Sequence, residues 1–114
     1  MTLTINEENR DTVLVVSVSG RLDGVTSKTL DTHIGARIAG GSDRIVLNLS
    51  GVDYISSFGL RLVLVAAKKL NGPGRRFVVC GLKDNVRQVF SVSGFLSILT
   101  LTDTVDEAAS AASS

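Results

Sequence analysis

Tryptophan is absent, and the chain has one cysteine, one proline, one histidine and only 4% aromatic residues among its 114. One cysteine excludes both an internal disulfide framework and a multi-cysteine zinc site, and within "RRFVVCGL" Cys80 reads as a small buried residue at a strand end. Charge of one sign is missing too. Twelve basic residues face eleven acidic ones, for a net charge of +1, and no Lys/Arg cluster exceeds a pair, so the footprint of a nucleic-acid binder is not there. The longest apolar run, Leu62 to Ala67, is far too short to cross a bilayer, and "MTLTINEENRD" lacks the basic start and apolar core of a signal peptide. The expectation is a cytoplasmic protein without membrane or nucleic-acid partners, in a reducing compartment.

What is present suits one packed domain spanning residues 1–114: 44% hydrophobic and 20% charged residues, at a length that buries most of its apolar surface unaided. "TLTI" and "TVLVVSVSG" are rich in β-branched residues and predict two strands joined by a turn at "NEENRD". In "VTSKTLDTHIGARIAGG", Val25, Leu30, Ile34 and Ile38 recur at helical spacing before a Gly pair that stops the helix. "RIVLNLSG" predicts a covered strand, with Asp53 beyond it as a turn residue. Ser57 to Leu70 predicts a helix with Leu60, Val63, Leu64 and Ala67 inward, ended by "NGPG". There follow a strand at "RRFVVCG", a helix at "LKDNVRQVFSVSG" with Val86, Val89 and Phe90 inward, a short strand at "LSILTLT", and a helix at "DTVDEAASAA" capped by Asp103, with a frayed "ASS" tail. Alternating strands and helices after a strand pair define an α/β sheet layered with helices.

The paired Ser56 and Ser57 precede the second helix, where the first backbone N–H groups lack intrahelical partners and a hydroxyl can accept from one of them. Capping accounts for one serine. The other reading is a modification site: a helix N-terminus tolerates a phosphate ester, which brings about −1.5 to −2 charges to any contact made there. Phe58, Leu62 and Val65 form a second apolar line on this helix, read either as a docking patch or as surface covered within the fold. Gly59 allows a neighbouring backbone to come close. A hydrolase with Ser57 as nucleophile fits poorly, because "SSFGL" lacks the G-x-S-x-G turn and His33 sits inside the first helical pattern. No metal cluster or phosphate-cradling loop is evident.

Four stretches, "GRLDGVTSKTL", "IVLNLSGVDYISSFGLRLVL", "FVVCGLKDNVRQVFSVSGFLSIL" and "TVDEAAS", in this order and spacing, make the chain resemble the STAS domains of bacterial anti-sigma factor antagonists over almost its whole length. That resemblance implies an α/β STAS-type fold, a small mixed β-sheet with about four α-helices packed mainly on one face. In the family a D-S-[S/T]-G-L motif carries a serine that a serine-kinase anti-sigma factor phosphorylates. "SSFGL" matches it, which puts Ser57 at the modified position, with Ser56 the alternative, and aligns Gly59 and Leu60 with the glycine and leucine and Asp23 with an acidic residue near the site. Ser56, Phe58 and Arg61 depart from the pattern, standing for an acid, a small hydroxyl residue and a small residue. The implied partner surface is Asp23, Ser56, Ser57, Phe58, Gly59, Arg61 and Leu62. The implied function is partner switching without enzymatic activity: the unmodified protein binds the kinase, phosphorylation releases it, and a phosphatase restores it. No cofactor belongs to this chain, since ATP and Mg²⁺ are the kinase's. The alternative is a passive STAS-type protein- or ligand-binding module of a signalling assembly, not phosphorylated.

Overall fold

The computed structural model describes residues 3–114. In chain order its elements are β1 (Thr4–Arg10), β2 (Val13–Leu22), α1 (Gly24–Ala39), β3 (Arg44–Ile55), α2 (Ser57–Lys69), β4 (Arg76–Cys80), α3 (Asp84–Val92), a 3-10 turn (Leu96–Ile98), β5 (Thr100–Thr102) and α4 (Val105–Ser113). The sheet order is β1-β2-β3-β4-β5; β1 runs antiparallel to β2 and every other pair is parallel. Crossovers of constant hand that step always in one direction across a sheet place their helices on one face. Accordingly α1, α2 and α3 share a face, and only α4 covers the other.

Strand periodicity divides the core between those faces. Leu14, Val16 and Val18 of β2, Ile45, Leu47 and Leu49 of β3, and Phe77 and Val79 of β4 meet Leu30, Val63 and Phe90 from the three helices. The alternate residues Val13, Val15, Val46, Val78 and Cys80 meet Ala108 and Ala112 of α4. Alanines let α4 lie close to the sheet. Burial pushes the Cys80 thiol up to about 11, which keeps it a protonated core side chain.

Several boundaries differ from the sequence expectation, each for a physical reason. "NEENR" is strand rather than turn: Thr4 to Arg10 pairs with Val13 to Ser19, and the turn is only Asp11 and Thr12, with Asp11 at φ 56°. As an edge strand β1 tolerates polar side chains on both faces, which erases the alternation. Asp53 is likewise not a turn residue, because β3 continues to Ile55 and its register against β2 shifts twice on the way. Gly51 sits at the first shift, where a Cβ would collide with Ser19 and lie 2.9 Å from the Val18 carbonyl oxygen. Val25 is 77% exposed, since it lies in the first turn of α1 beyond the sheet's edge, whereas Leu30 and Ile34 are buried as expected. On α2 the buried face is Gly59, Leu60, Leu62, Val63 and Ala66, rotated from the expected one, so Leu64 and Ala67 are only half-buried. "LSILTLT" divides into the 3-10 turn and the three-residue β5.

The cap of α4 is Thr104, not Asp103. Its hydroxyl accepts from the Glu107 N–H at 3.1 Å, and the Glu107 carboxylate accepts from the Thr104 N–H at 3.2 Å. The helix then runs to Ser113, so the expected frayed tail is helical, and Arg44 donates to the Ala112 and Ser114 carbonyls at its end. Thr104→Ala is expected to cost about 0.5–2 kcal/mol, whereas Asp103→Ala stays within about 0.5 kcal/mol. Urea unfolding followed by circular dichroism measures both, and equal losses would assign the cap wrongly.

Candidate functional site

In parallel α/β sheets the carboxyl ends of the strands face the crevice where helices begin and ligands bind. Here β2 and β3 end side by side at Leu22 and Ile55, and α1 and α2 each begin after a single cap residue, Asp23 and Ser56. The Ser56 N–H donates to the Leu22 carbonyl at 2.8 Å and ties the two helix starts together.

Asp23 caps α1. Its carboxylate accepts from the N–H groups of Val25 and Thr26 at 3.0 and 2.9 Å, while the Thr26 hydroxyl accepts from the Asp23 N–H at 2.9 Å. Those hydrogen bonds, the Thr26 N–H first and the Thr26 hydroxyl next, hold the Asp23 carboxyl below its ordinary value. Asp23 is thus adjacent to the serines, with its charge engaged in its own helix.

Ser56 and Ser57 differ in their surroundings. Ser56 is the N-cap, half-buried, its hydroxyl accepting from the Gly59 N–H at 3.4 Å. Ser57 is the first helical residue, exposed, and its hydroxyl makes no hydrogen bond among the described residues. Phe58 follows, 60% exposed, its ring against Gly24, where a Cβ would stand 3.5 Å from it. Leaving a large apolar side chain in water forgoes about 1.5–3 kcal/mol, and Val25 is exposed beside the same edge. Tyr54, 39% exposed, lies under the Arg21 guanidinium, which stands 4.0 Å above its ring.

Two predicted surface residues lie inside. Gly59 is buried because α2 presses on the strand ends: a Cβ there would sit 2.6 Å from Ile55 Cγ1 and 3.2 Å from Leu22 Cβ. Leu62 is 5% exposed and belongs to the core, reaching the surface only as the floor of a shallow groove of about 230 Å³ between α1 and α2, rimmed by Lys28, Arg61 and Val65. The second apolar line on α2 is therefore broken at its centre. Arg61 is exposed one turn beyond Ser57.

Val25, Tyr54 and Arg21 were not foreseen as part of this surface. Val25 was assigned inward by spacing alone, and Tyr54 became legible only with β3 extended, since strand alternation then turns it outward between Asp53 and Ile55. His33 is not near Ser57; it lies about 15 Å along α1 from the Asp23 cap and bonds Glu7 at 2.6 Å, with Arg37 on the same carboxylate at 2.7 Å. Partial burial raises the Glu7 carboxyl, but the hydrogen bonds from His33 and Arg37 outweigh it and leave the group below its ordinary value. No cluster of three or more His, Cys, Asp or Glu side chains that could hold a metal occurs among the described residues, and no helix there is long and apolar enough to cross a membrane.

The fold and this edge define a class: a mixed-sheet α/β domain with two capped helix starts side by side, one presenting an unbonded hydroxyl beside exposed apolar side chains. The sequence pattern of the STAS domain matches residues 4–108, and the chain belongs to that family. It is 40% identical over 101 residues to BtrV of Bordetella bronchiseptica, a candidate anti-sigma factor antagonist, covering 89% of this chain and 87% of that protein. An anti-sigma F factor antagonist of Paenibacillus polymyxa is 31% identical over 90% of this chain and 89% of its own length. The crystal structure of an anti-sigma factor antagonist from Mycobacterium paratuberculosis matches with a TM-score of 0.91 at 33% identity, covering 99% of this chain and 96% of that one.

Gly59→Ala is expected to lower stability by about 1–3 kcal/mol, because Ile55 and Leu22 must move to admit the methyl group; an unchanged urea midpoint would deny the close contact. A depressed carboxyl stabilises the fold above its unfolded value and loses that contribution as pH falls through its folded one. The stability gap between wild type and Asp23→Asn is therefore expected at neutral pH and shrinks as pH drops below the ordinary value near 3.8. Denaturant midpoints across pH measure it, and a gap independent of pH would count against an engaged carboxylate.

Proposed function

We propose that this chain is an anti-sigma factor antagonist that works by partner switching, binding a serine-kinase anti-sigma factor through the edge around Ser57 and releasing it when Ser57 is phosphorylated. The names of its relatives support the antagonist role. The observation that carries the switch is the division of labour between the serines: Ser56 is engaged as the cap while the Ser57 hydroxyl is exposed and unbonded at the positive end of α2.

In the transfer the Ser57 oxygen bonds to the γ-phosphorus of ATP held by the kinase. The bond to the departing ADP breaks, and the hydroxyl proton passes to a base of the kinase. The ester brings about −1.5 to −2 charges to a rim that otherwise offers Phe58, Val25 and Arg61. The partner's apolar surface that covered Phe58 would have to desolvate that charge, while the fold tolerates it because the free N–H groups of the first turn point toward it. A phosphatase would restore the binding form.

Ser56 stands where the family has an acid, which favours a second reading, a passive docking module that no kinase modifies. Incubation with ATP and a kinase recovered by pull-down from the native cell, followed by intact mass, decides between them: one added phosphate, lost in Ser57→Ala but retained in Ser56→Ala, supports the switch. Ser57→Ala is expected to bind the kinase like the unmodified protein, and Ser57→Asp at least about tenfold more weakly, or about 1.4 kcal/mol. Calorimetric titration measures both, and equal affinities would overturn the charge veto.

A further inference from the structure

At the amino end of the sheet, opposite Ser57, the three-residue β5 pairs only with Val78 to Cys80, so the start of β4 at Arg76 and Phe77 has no neighbouring strand on that side. The gap is a cleft of about 800 Å³, within the range of small-molecule sites. Leu64 and Ala67 of α2 and its C-cap Leu70 form one wall and Phe95, Ile98 and Leu99 the other, with Phe77 between them. Ile98 is 65% exposed at the rim. Leu64, Ala67, Phe95 and Leu99 are half-buried, so the walls are open to a ligand without forming a broad apolar patch.

Its charge is one-sided. Lys68, Arg75 and Arg76 line the cleft and no acidic residue does. Arg75 is partly engaged, donating to the Lys69 carbonyl at 3.0 Å and lying 3.9 Å from the Asp43 carboxylate. Among the described residues the Arg76 side chain bonds only the Arg75 carbonyl, and Lys68 makes no ion pair. Two cations without carboxylate partners thus stand at the mouth of an apolar cleft. A neutral apolar ligand would leave them unused, and a small inorganic anion would leave the walls wet.

We infer that the cleft between α2, the start of β4 and the 3-10 turn binds an amphipathic anion, a single acyl chain ending in a carboxylate or phosphate, with the chain against Leu64, Phe77 and Phe95 and the head at Lys68 and Arg76. This site is separate from the Ser57 edge and does not rest on the switching mechanism. Its occupant is a small ligand, on the scale of a cleft of about 800 Å³.

Amide chemical shifts of the full chain, titrated with decanoate, decyl phosphate, decanol and inorganic phosphate, test this. Saturable shifts confined to Leu64–Leu70, Phe77 and Phe95–Thr100 are expected with decanoate or decyl phosphate, and the tighter of the two identifies the head group. Decanol and inorganic phosphate are expected to bind at least about tenfold more weakly, a difference of about 1.4 kcal/mol. The double variant Lys68→Gln, Arg76→Gln is expected to lose a similar factor for decanoate and keep the affinity for decanol, with its thermal midpoint confirming that it folds. No saturable shift up to millimolar ligand, shifts centred on Val25 and Phe58, equal affinity for decanol, or a double variant that binds decanoate unchanged would each overturn the inference.

Discussion

The edge around Ser57 depends on one close contact, that of Gly59 with Ile55. With no side chain at Gly59, the first turn of α2 presses directly on the ends of β2 and β3. A Cβ there would push α2 outward, and with it the Ser56 N–H that reaches the Leu22 carbonyl. Pressing one side of a helical turn against the sheet forces the other side into solvent. Ser57 and Phe58, immediately before Gly59, are therefore outside because Gly59 is inside. Packing thus explains the glycine at this position.

The same turn separates two hydroxyls that are neighbours in sequence. An N-cap residue has extended backbone, and Ser56 does at φ −92°, ψ 175°, so its side chain folds back over the helix end. The next residue is helical and its side chain points away. One serine thus completes the backbone's hydrogen bonding while the other keeps its hydroxyl free for chemistry. The proposed phosphate on Ser57 would add charge to the rim while leaving the Ser56 cap in place.

Much of this was legible in the sequence. Element order, the helix start at Ser57 and burial of Leu30, Ile34, Val86 and Phe90 follow from periodicity, which works where one face is buried and the other is wet. It fails where that condition fails. The second half of β1, Asn6 to Arg10, carries polar side chains and reads as a turn, β3 has two register shifts that break alternation, and Val25 keeps helical spacing but lies beyond the strand ends. Leu62 shows the converse: α1 and the sheet together cover more of α2 than a single amphipathic stripe, so an apolar residue off the main face was still interior. The resemblance located the serine motif, but only geometry separates Ser56 from Ser57.

The two sites proposed at opposite ends of α2 raise the question of coupling. A ligand in the cleft changes docking at Ser57 only if it prefers one of two arrangements of the intervening structure. Between the ends, Val63 and Ala66 are buried against the sheet, and α2 spans about 20 Å as a single uninterrupted helix. Packed interiors resist continuous deformation, and the contact at Gly59 leaves no slack for sliding toward the strands. The two proposed sites are accordingly expected to act independently, a ligand in the cleft leaving the effect of a phosphate at Ser57 unchanged.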